Sequence, residues 1–157
     1  MLELAREVET LSRRKALAMA AAGTAFAVLM PHIALADPAA VAAEMKKLYG
    51  DKAMAAGKIK LDVPQIAENG LVVPINVEVE SPMTGQDFVK AVHVFADGNP
   101  LPGVVSYRFT AEAGKAAAST RMRLAQTQNI VCVAEMSNGA LYSAKAEIKV
   151  TIGGCGG

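Results

Sequence analysis

A single cysteine near the end of the sequence is the residue whose surroundings most clearly indicate chemistry. Cys155 has two glycines on either side, in the segment Gly153-Gly154-Cys155-Gly156-Gly157. Glycine has no side chain to pack and loses the most conformational freedom on folding, so this segment predicts a flexible, slender, solvated arm. A cysteine kept in such a segment is kept for its sulfur.

The thiol of Cys155 lacks the sequence neighbours that turn a cysteine into a catalyst. A nucleophilic cysteine is activated by an adjacent histidine, a cationic side chain or a helix N-terminus, each of which lowers the thiol pKa. The nearest cation in the sequence is Lys149. At an ordinary pKa of about 8.5, only a small fraction of a thiol is ionised at neutral pH. The pattern therefore predicts a carrier that the active sites of other proteins load and unload, with no catalytic residue of its own.

Two other uses of Cys155 stay open. It can form an intermolecular disulfide, which would make the chain a structural module crosslinked to another chain. In an oxidising compartment it can also pair with Cys132. That pairing is disfavoured, because Cys132 lies in the apolar run 130–134, where a small buried hydrophobe is expected.

Residues 1–36 predict a cleaved export signal. Ser12-Arg13-Arg14-Lys15 precedes an Ala-rich apolar run, and Ala34-Leu35-Ala36 fits a small-x-small cleavage site. This pattern is typical of the twin-arginine route, with cleavage after Ala36. A transmembrane anchor is the alternative, because the run has about the length of a membrane span, although three residues interrupt it: Gly23, Pro31 and His32.

The net charge and the spacing of possible metal-ligating residues limit which partners and cofactors are expected. The chain has 16 Lys and Arg against 15 Asp and Glu, and removal of residues 1–36 leaves equal numbers. This balance argues against nucleic acid or an anionic membrane as partner. Cys132, Cys155 and His93 are isolated, and no phosphate-binding glycine loop joins a strand to a helix, so we expect no metal and no cofactor. The twin-arginine route exports folded proteins, which favours export in complex with a second polypeptide.

The exported part must position the thiol, and its sequence predicts a helical segment followed by a series of strands. Residues 37–56 predict a helical segment, with Asp37 as its cap, Pro38 in its first turn and Gly50 as a stop before a further turn at 51–56. Residues 57–152 alternate apolar and polar residues in short runs between turns such as Asn138-Gly139. We therefore expect an immunoglobulin-like antiparallel β-sandwich with the N-terminal helix against it.

Individual strands can be placed within this sandwich. Pro74 puts the run 71–80 at a sheet edge or a bulge, and the apolar run 130–134 predicts a central strand. The alternation of residues 142–152 predicts the last strand, so Cys155 begins three residues beyond a rigid edge and can project roughly 10 Å from it.

Three further polar residues are expected to be structural. His93, between Val92 and Val94, is expected to be a packed or edge histidine. Arg121 and Arg123 alternate with apolar residues, so a solvated sheet face is expected for them, with a partner contact as the alternative.

Four segments resemble a known family, and the terminal one is the most specific. They are Gly70-Leu71-Val72-Val73-Pro74, Asn99-Pro100-Leu101-Pro102, Arg121-Met122-Arg123-Leu124-Ala125-Gln126-Thr127-Gln128 and Val150-Thr151-Ile152-Gly153-Gly154-Cys155-Gly156-Gly157. Together with the twin-arginine leader they resemble the SoxY family, the sulfur-carrier subunits of the periplasmic thiosulfate-oxidising system. The resemblance covers essentially the whole chain.

The resemblance implies a cycle on the sulfur of Cys155, with no enzyme activity in the chain itself. A c-type cytochrome would join the thiol to thiosulfate as a cysteine S-thiosulfonate, and a metal-dependent hydrolase would release sulfate. The remaining sulfane sulfur would be oxidised by a dehydrogenase or passed on. The resemblance also implies a heterodimer with a SoxZ-like subunit, a smaller β-sandwich protein.

Overall fold

The computed structural model describes residues 36–154. The predicted export signal, apart from Ala36, and the last three residues of the predicted arm, Cys155-Gly156-Gly157, lie outside this part. The described chain contains a short 3-10 helix at Ala111–Ala113, one α-helix and nine strands. They are α1 (Pro38–Tyr49), β1 (Ala55–Ala56), β2 (Ile59–Asp62), β3 (Ile66–Asn69), β4 (Val73–Val79), β5 (Val89–Ala96), β6 (Gly103–Arg108), β7 (Ala116–Met122), β8 (Gln128–Met136) and β9 (Leu141–Ile152). Between residues 36 and 154, no helix has the length and apolar character that a membrane crossing requires.

The strands form two sheets that face each other across one core. The larger sheet has the order β1-β9-β8-β5-β6, with β3 also paired to β9, and the smaller has the order β2-β4-β7. Alternate residues of β4 and β8 are buried between them: Val73, Ile75, Val77 and Val79 on one side, Ile130, Cys132, Ala134 and Met136 on the other. Strand β8 pairs with both β5 and β9, so the central strand predicted from residues 130–134 is confirmed.

The mainly β architecture is confirmed, and the expected antiparallel pairing holds for the smaller sheet but not for two strands of the larger sheet, which is mixed. Strands β1 and β3 both run parallel to β9. The expected helical turn at 51–56 is also wrong, because residues 55 and 56 form β1 beside Tyr142 and Ser143. Gly50 adopts a positive φ of 67° and ends α1 there. The chain then turns toward the sheet.

Pro74 does not lie on an edge strand, because β4 is the middle strand of its sheet. Its neighbour β2 pairs only with residues 76–79, whereas Pro74 pairs with Arg121 of β7. The side of β4 that faces β2 is therefore open at Pro74, and the missing N–H leaves no gap in a ladder.

Helix α1 forms a third layer on the outer face of the larger sheet. The Asp37 carboxylate accepts a hydrogen bond from the Ala40 N–H at 2.7 Å, and Pro38 occupies the first turn. Val41 and Tyr49 pack against a second apolar cluster on the sheet, made of Phe95, Val133 and Leu141. Burial of each such side chain stabilises the fold by about 1.5–3 kcal/mol.

Candidate functional site

Strand β9 carries the chain out of the core to the position where the terminal glycines begin. Ile148 is fully buried between the sheets, whereas Ile152, four residues later on the same face, is exposed. The last residue of β9 is still paired, because Ile152 lies opposite Asn69 of β3. The segment before Cys155 therefore leaves from a strand that is supported up to its end.

Three backbone hydrogen bonds continue this support beyond the strand. The Gly70 N–H donates to the Ile152 carbonyl at 2.7 Å, the Leu124 N–H donates to the Gly70 carbonyl at 2.8 Å, and the Gly154 N–H donates to the Leu124 carbonyl at 2.8 Å. We call Gly70, Leu124, Gly153 and Gly154 the arm root. These bonds tie the end of β9 to two loops that are distant from it in sequence.

The glycines of the arm root are required by close packing of backbone on backbone. A Cβ on Gly154 would overlap the carbonyl group of Gly70 and the Leu71 nitrogen, and a Cβ on Gly153 would overlap the Ala125 carbonyl. A Cβ on Gly70 would in turn overlap the Leu124 carbonyl and lie 2.8 Å from the Gly154 nitrogen. No side chain other than hydrogen fits at these three positions without moving the backbone.

This packing changes the expected arm at its first two residues. Gly153 and Gly154 were predicted to be part of a freely projecting segment, yet both are held by backbone contacts. Cys155 therefore directly follows an anchored residue, with its Cα about 3.8 Å from that of Gly154. The part of the arm that is not held by these contacts begins after Gly154 and not after Ile152. Cys155, Gly156 and Gly157 themselves lie outside the described residues.

Two amide side chains hold the loops around the arm root together. Asn99 Oδ1 accepts from the Ala125 N–H and from Gln128 Nε2, both at 3.0 Å, and Asn99 Nδ2 donates to the Arg123 carbonyl at 2.9 Å. Gln128 is 4% exposed, and its Oε1 accepts from the Gly98 N–H at 2.7 Å. Loop 97–102 is thus fixed to the loop that supplies the Leu124 carbonyl.

The four segments that carry the family resemblance consequently meet at one end of the sandwich. Gly70, Asn99, Leu124 and Gly154 each come from a different one of these segments. Leu124 is hydrogen-bonded to both Gly70 and Gly154, and its neighbour Ala125 donates to Asn99. Reasoning from the sequence did not assign a role to Gly70, Asn99, Leu124 or Gln128. The signal that could have found them was their place inside the segments quoted for the resemblance.

The second cysteine is buried in the core. Cys132 is fully buried in β8 as a free thiol, and burial raises its pKa to about 12. A thiol with so high a pKa is unreactive near neutral pH. The prediction that Cys132 is a small buried hydrophobe is confirmed.

His93 is a packed residue on the helix-covered face of β5. Its Nδ1 lies 2.8 Å from Ser106 Oγ, its ring contacts Tyr49 edge-on with centroids 5.8 Å apart, and it stacks on Phe95. Burial, with a smaller contribution from Arg108, lowers the pKa of His93 below its ordinary value of 6.5. Burial likewise raises the pKa of Tyr49, whose hydroxyl has no hydrogen-bond partner.

Arg121 and Arg123 are exposed on either side of the buried Met122, so the expected solvated face is confirmed for both. They border a surface depression together with Asn99 and Leu101, next to the arm root. Across residues 36–154, no group of three or more His, Cys, Asp or Glu side chains is arranged to hold a metal.

Comparison with protein families identifies relatives of the chain. The family model described as "Sulfur oxidation protein SoxY" matches residues 45–155, a range that ends on Cys155. The structure of the sulfur carrier protein SoxY from Chlorobium limicola f thiosulfatophilum is 32% identical to this chain, with a TM-score of 0.62. The match covers 73% of this chain and 98% of that chain. No curated protein matches the chain.

Other solved structures share the fold alone. A superoxide reductase (neelaredoxin) from Ignicoccus hospitalis is 15% identical, with a TM-score of 0.54 over 60% of this chain and 80% of that chain. A putative superoxide reductase from Thermotoga maritima is 20% identical, with a TM-score of 0.51 over 68% of this chain and 89% of that chain. Shared architecture at such identities carries no function from one protein to another.

Proposed function

This chain belongs to the SoxY family of sulfur oxidation proteins, and from that premise we propose that it is a covalent carrier of sulfur intermediates in thiosulfate oxidation. The thiol of Cys155 is the carrier group, and partner enzymes act on it in turn. The chain itself is the scaffold on which the substrate is held, and it performs no catalysis.

The proposed cycle begins with an oxidation and continues with a hydrolysis. On loading, the thiol gives up its proton and forms a sulfur–sulfur bond with the sulfane sulfur of thiosulfate, and two electrons pass to a c-type cytochrome. On hydrolysis, water attacks the sulfonate sulfur of the cysteine S-thiosulfonate and the persulfide leaves, so that sulfate and two protons are released. A metal-dependent hydrolase performs this second step, and a dehydrogenase oxidises the remaining sulfane sulfur or it is passed on.

The observation that supports this proposal most directly is the convergence of the four family-like segments on the arm root. These segments hold Gly154 by its backbone, and Cys155 follows immediately. A carrier thiol needs to be presented at a fixed place and to stay reactive toward several active sites. A supported root with the sulfur one residue beyond it meets both requirements.

We further propose that the carrier acts as a heterodimer with a SoxZ-like subunit in the periplasm, after twin-arginine export and cleavage behind Ala36. The helix cap is compatible with this cleavage site. Asp37 provides the carboxylate that caps α1, so removal of residues 1–36 leaves the cap in place. Within residues 36–154, Ala36 makes one hydrogen bond, from its N–H to the Asn99 carbonyl at 2.7 Å.

A strain that depends on this carrier for growth on thiosulfate tests the proposal. Cys155→Ser is expected to abolish thiosulfate-dependent sulfate formation, whereas Cys132→Ser, which alters the buried thiol, retains it. The alternative is a structural module crosslinked through Cys155, and it predicts a stable dimer that reductant dissociates. Full sulfate formation by the Cys155→Ser strain would exclude the carrier function.

A further inference from the structure

Within residues 36–154, Gln128 is the one charged or amide side chain that is buried, with 4% of its surface exposed. Its Oε1 accepts from the Gly98 N–H at 2.7 Å. Its Nε2 donates to Asn99 Oδ1 at 3.0 Å and to the Gln126 carbonyl at 3.1 Å. The oxygen and both amide protons thus have partners, and a reversed amide would face like groups on each side. Burial therefore holds this side chain in one orientation.

The fixed Gln128 amide determines which way the Asn99 amide faces. Asn99 Oδ1 accepts from Gln128 Nε2 and from the Ala125 N–H. Asn99 Nδ2 donates to the Arg123 carbonyl at 2.9 Å. If the Asn99 amide turned over, its NH2 group would face two N–H donors and its oxygen would face a carbonyl. The donor on Gln128 therefore stabilises one orientation of Asn99 and disfavours the other.

Asn99 in turn binds the two peptide groups that flank Leu124. One of them carries the Leu124 carbonyl, which accepts from the Gly154 N–H at 2.8 Å. The other carries the Leu124 N–H, which donates to the Gly70 carbonyl, also at 2.8 Å. Because a peptide group is planar, with its C=O and N–H pointing in opposite directions, a bond at one end of the group fixes the direction of the other. Asn99 therefore directs both groups of Leu124 at the bonds that hold the arm root.

We infer that Gln128 is a positioning residue for the carrier thiol, an inference that rests on the carrier function proposed above. Gln128 acts through other residues: it orients Asn99, Asn99 directs the two peptide groups of Leu124, and one of these holds Gly154. Without the Gln128 amide, the arm root opens in a fraction of the molecules, and Cys155 then no longer follows a fixed residue. An enzyme that acts on the thiol finds it in place only in the closed fraction. Its apparent affinity falls by that fraction, while turnover of the bound carrier is unchanged.

Steady-state kinetics of sulfate release tests this role. The carrier, in complex with its SoxZ-like subunit, is loaded with tetrathionate: the Cys155 thiolate attacks a central sulfur and thiosulfate leaves, which gives the cysteine S-thiosulfonate. The sulfate-releasing hydrolase is then assayed with increasing concentrations of loaded carrier. Gln128→Met is the test variant, because methionine is unbranched and similar in length but has no amide.

Asp97→Ala is the matched control. The Asp97 carboxylate accepts from the Asn129 N–H and from Asn129 Nδ2, both at 2.8 Å. These bonds tie the same loop, 97–102, to β8, but they do not involve the peptide groups that hold the root. The two variants should therefore lower the denaturation midpoint by similar amounts, and only Gln128→Met should disturb the arm root.

Gln128→Met is expected to raise the KM for loaded carrier about tenfold with kcat unchanged, as when the closed root falls to about one-tenth of the molecules. Hydrogen exchange at the Gly154 amide should accelerate as well. The rate of loading by tetrathionate should stay the same, because a small reagent reaches the thiol whether the root is open or closed. Asp97→Ala is expected to change none of these three quantities.

A double variant shows whether Gln128 acts through Asn99. In an Asn99→Ala background, Gln128→Met should raise KM no further. Additive effects of the two changes, a wild-type KM in Gln128→Met, or an equal rise in Asp97→Ala would overturn the positioning role. If Gln128→Met does not fold, Gln128→Glu is used, which keeps the acceptor for the Gly98 N–H and lacks the donor to Asn99. Absence of sulfate release from loaded wild-type carrier would instead overturn the carrier function.

Discussion

Replacement of Gly154 by alanine is expected to open the arm root without unfolding the sandwich. The added Cβ would overlap the carbonyl group of Gly70 and the Leu71 nitrogen, which are backbone atoms that no rotamer change can move away. The segment after β9 must therefore shift, and the Gly154–Leu124 hydrogen bond is lost. If Gly70 shifts too, its bonds to Ile152 and Leu124 are also lost.

The size of the effect follows from the number of bonds that break. Each hydrogen bond contributes about 1 kcal/mol net, so the local opening free energy of the root should fall by about 1–3 kcal/mol. At about 1.4 kcal/mol for each factor of ten, hydrogen exchange at the root amides should accelerate about 5-fold to 140-fold. The melting temperature should change little, because Ile148 and the other buried side chains between the sheets keep their packing.

Amide hydrogen exchange read residue by residue measures this effect. Acceleration is expected at the amides of Gly70, Leu124 and Gly154 and not at that of Ile130, in the centre of the larger sheet. Gly85→Ala is the control, because a Cβ on Gly85 meets nothing within 4 Å and its backbone is outside the positive-φ region. If the root amides of Gly154→Ala exchange as slowly as those of wild type and Gly85→Ala, the anchored root is refuted.

Three other predictions concern side chains around the core and the loops. Because burial lowers the pKa of His93, the unfolded chain binds its proton more readily, so the free energy of unfolding should fall as pH drops below about 6.5. In denaturant titrations, the free energy of unfolding of His93→Gln should fall less over that pH range than that of wild type. A pH profile identical to that of wild type would contradict the lowered pKa of His93. Since the pKa of Cys132 is raised to about 12, an aromatic disulfide reagent near pH 8 should leave it unmodified in folded Cys155→Ser; one equivalent of reaction would contradict its burial. Asn99→Asp keeps the acceptor for the Ala125 N–H but loses the donor to the Arg123 carbonyl, so unfolding should become easier by about 1–3 kcal/mol; an unchanged denaturation midpoint would rule that contribution out.

The elements that local rules govern could be predicted from the sequence. Asp37, Pro38 and Gly50 mark both ends of α1, because caps and φ preferences act within a few residues. The Asn138-Gly139 turn joins β8 to β9 as predicted, with Gly139 at a φ of 82°. The buried, inward positions of β4 follow the alternation of the sequence from Val73 to Val79.

The parallel strands could not be predicted, because nothing local marks them. Strand β1 has only two alanines, and in β3 only Ala67 is buried, so neither carries an apolar pattern. Leu71 continues the alternation of β4 in the sequence, but it lies in the turn before that strand and is half exposed. Pairing with β9 is a long-range contact, and it places these segments where their own sequences give no signal.

The role of the terminal glycines depends on long-range contacts in the same way. From the sequence, Gly153 and Gly154 indicate freedom, because glycine permits more backbone conformations than any other residue. In the structure they are glycines because Gly70 and Ala125 approach too closely for a Cβ. A sequence cannot separate these two reasons, since the second depends on residues about 30 to 80 positions away.

Intact-mass analysis of the carrier isolated from cells oxidising thiosulfate tests its central role most directly. The cysteine assignment predicts protein bearing a thiosulfonate group or added sulfur atoms, with peptide mapping placing them on Cys155 in both wild type and Cys132→Ser. Cys155→Ser should carry none of these additions. An unmodified Cys155 thiol during active turnover, or the same additions on Cys155→Ser, would contradict the carrier function.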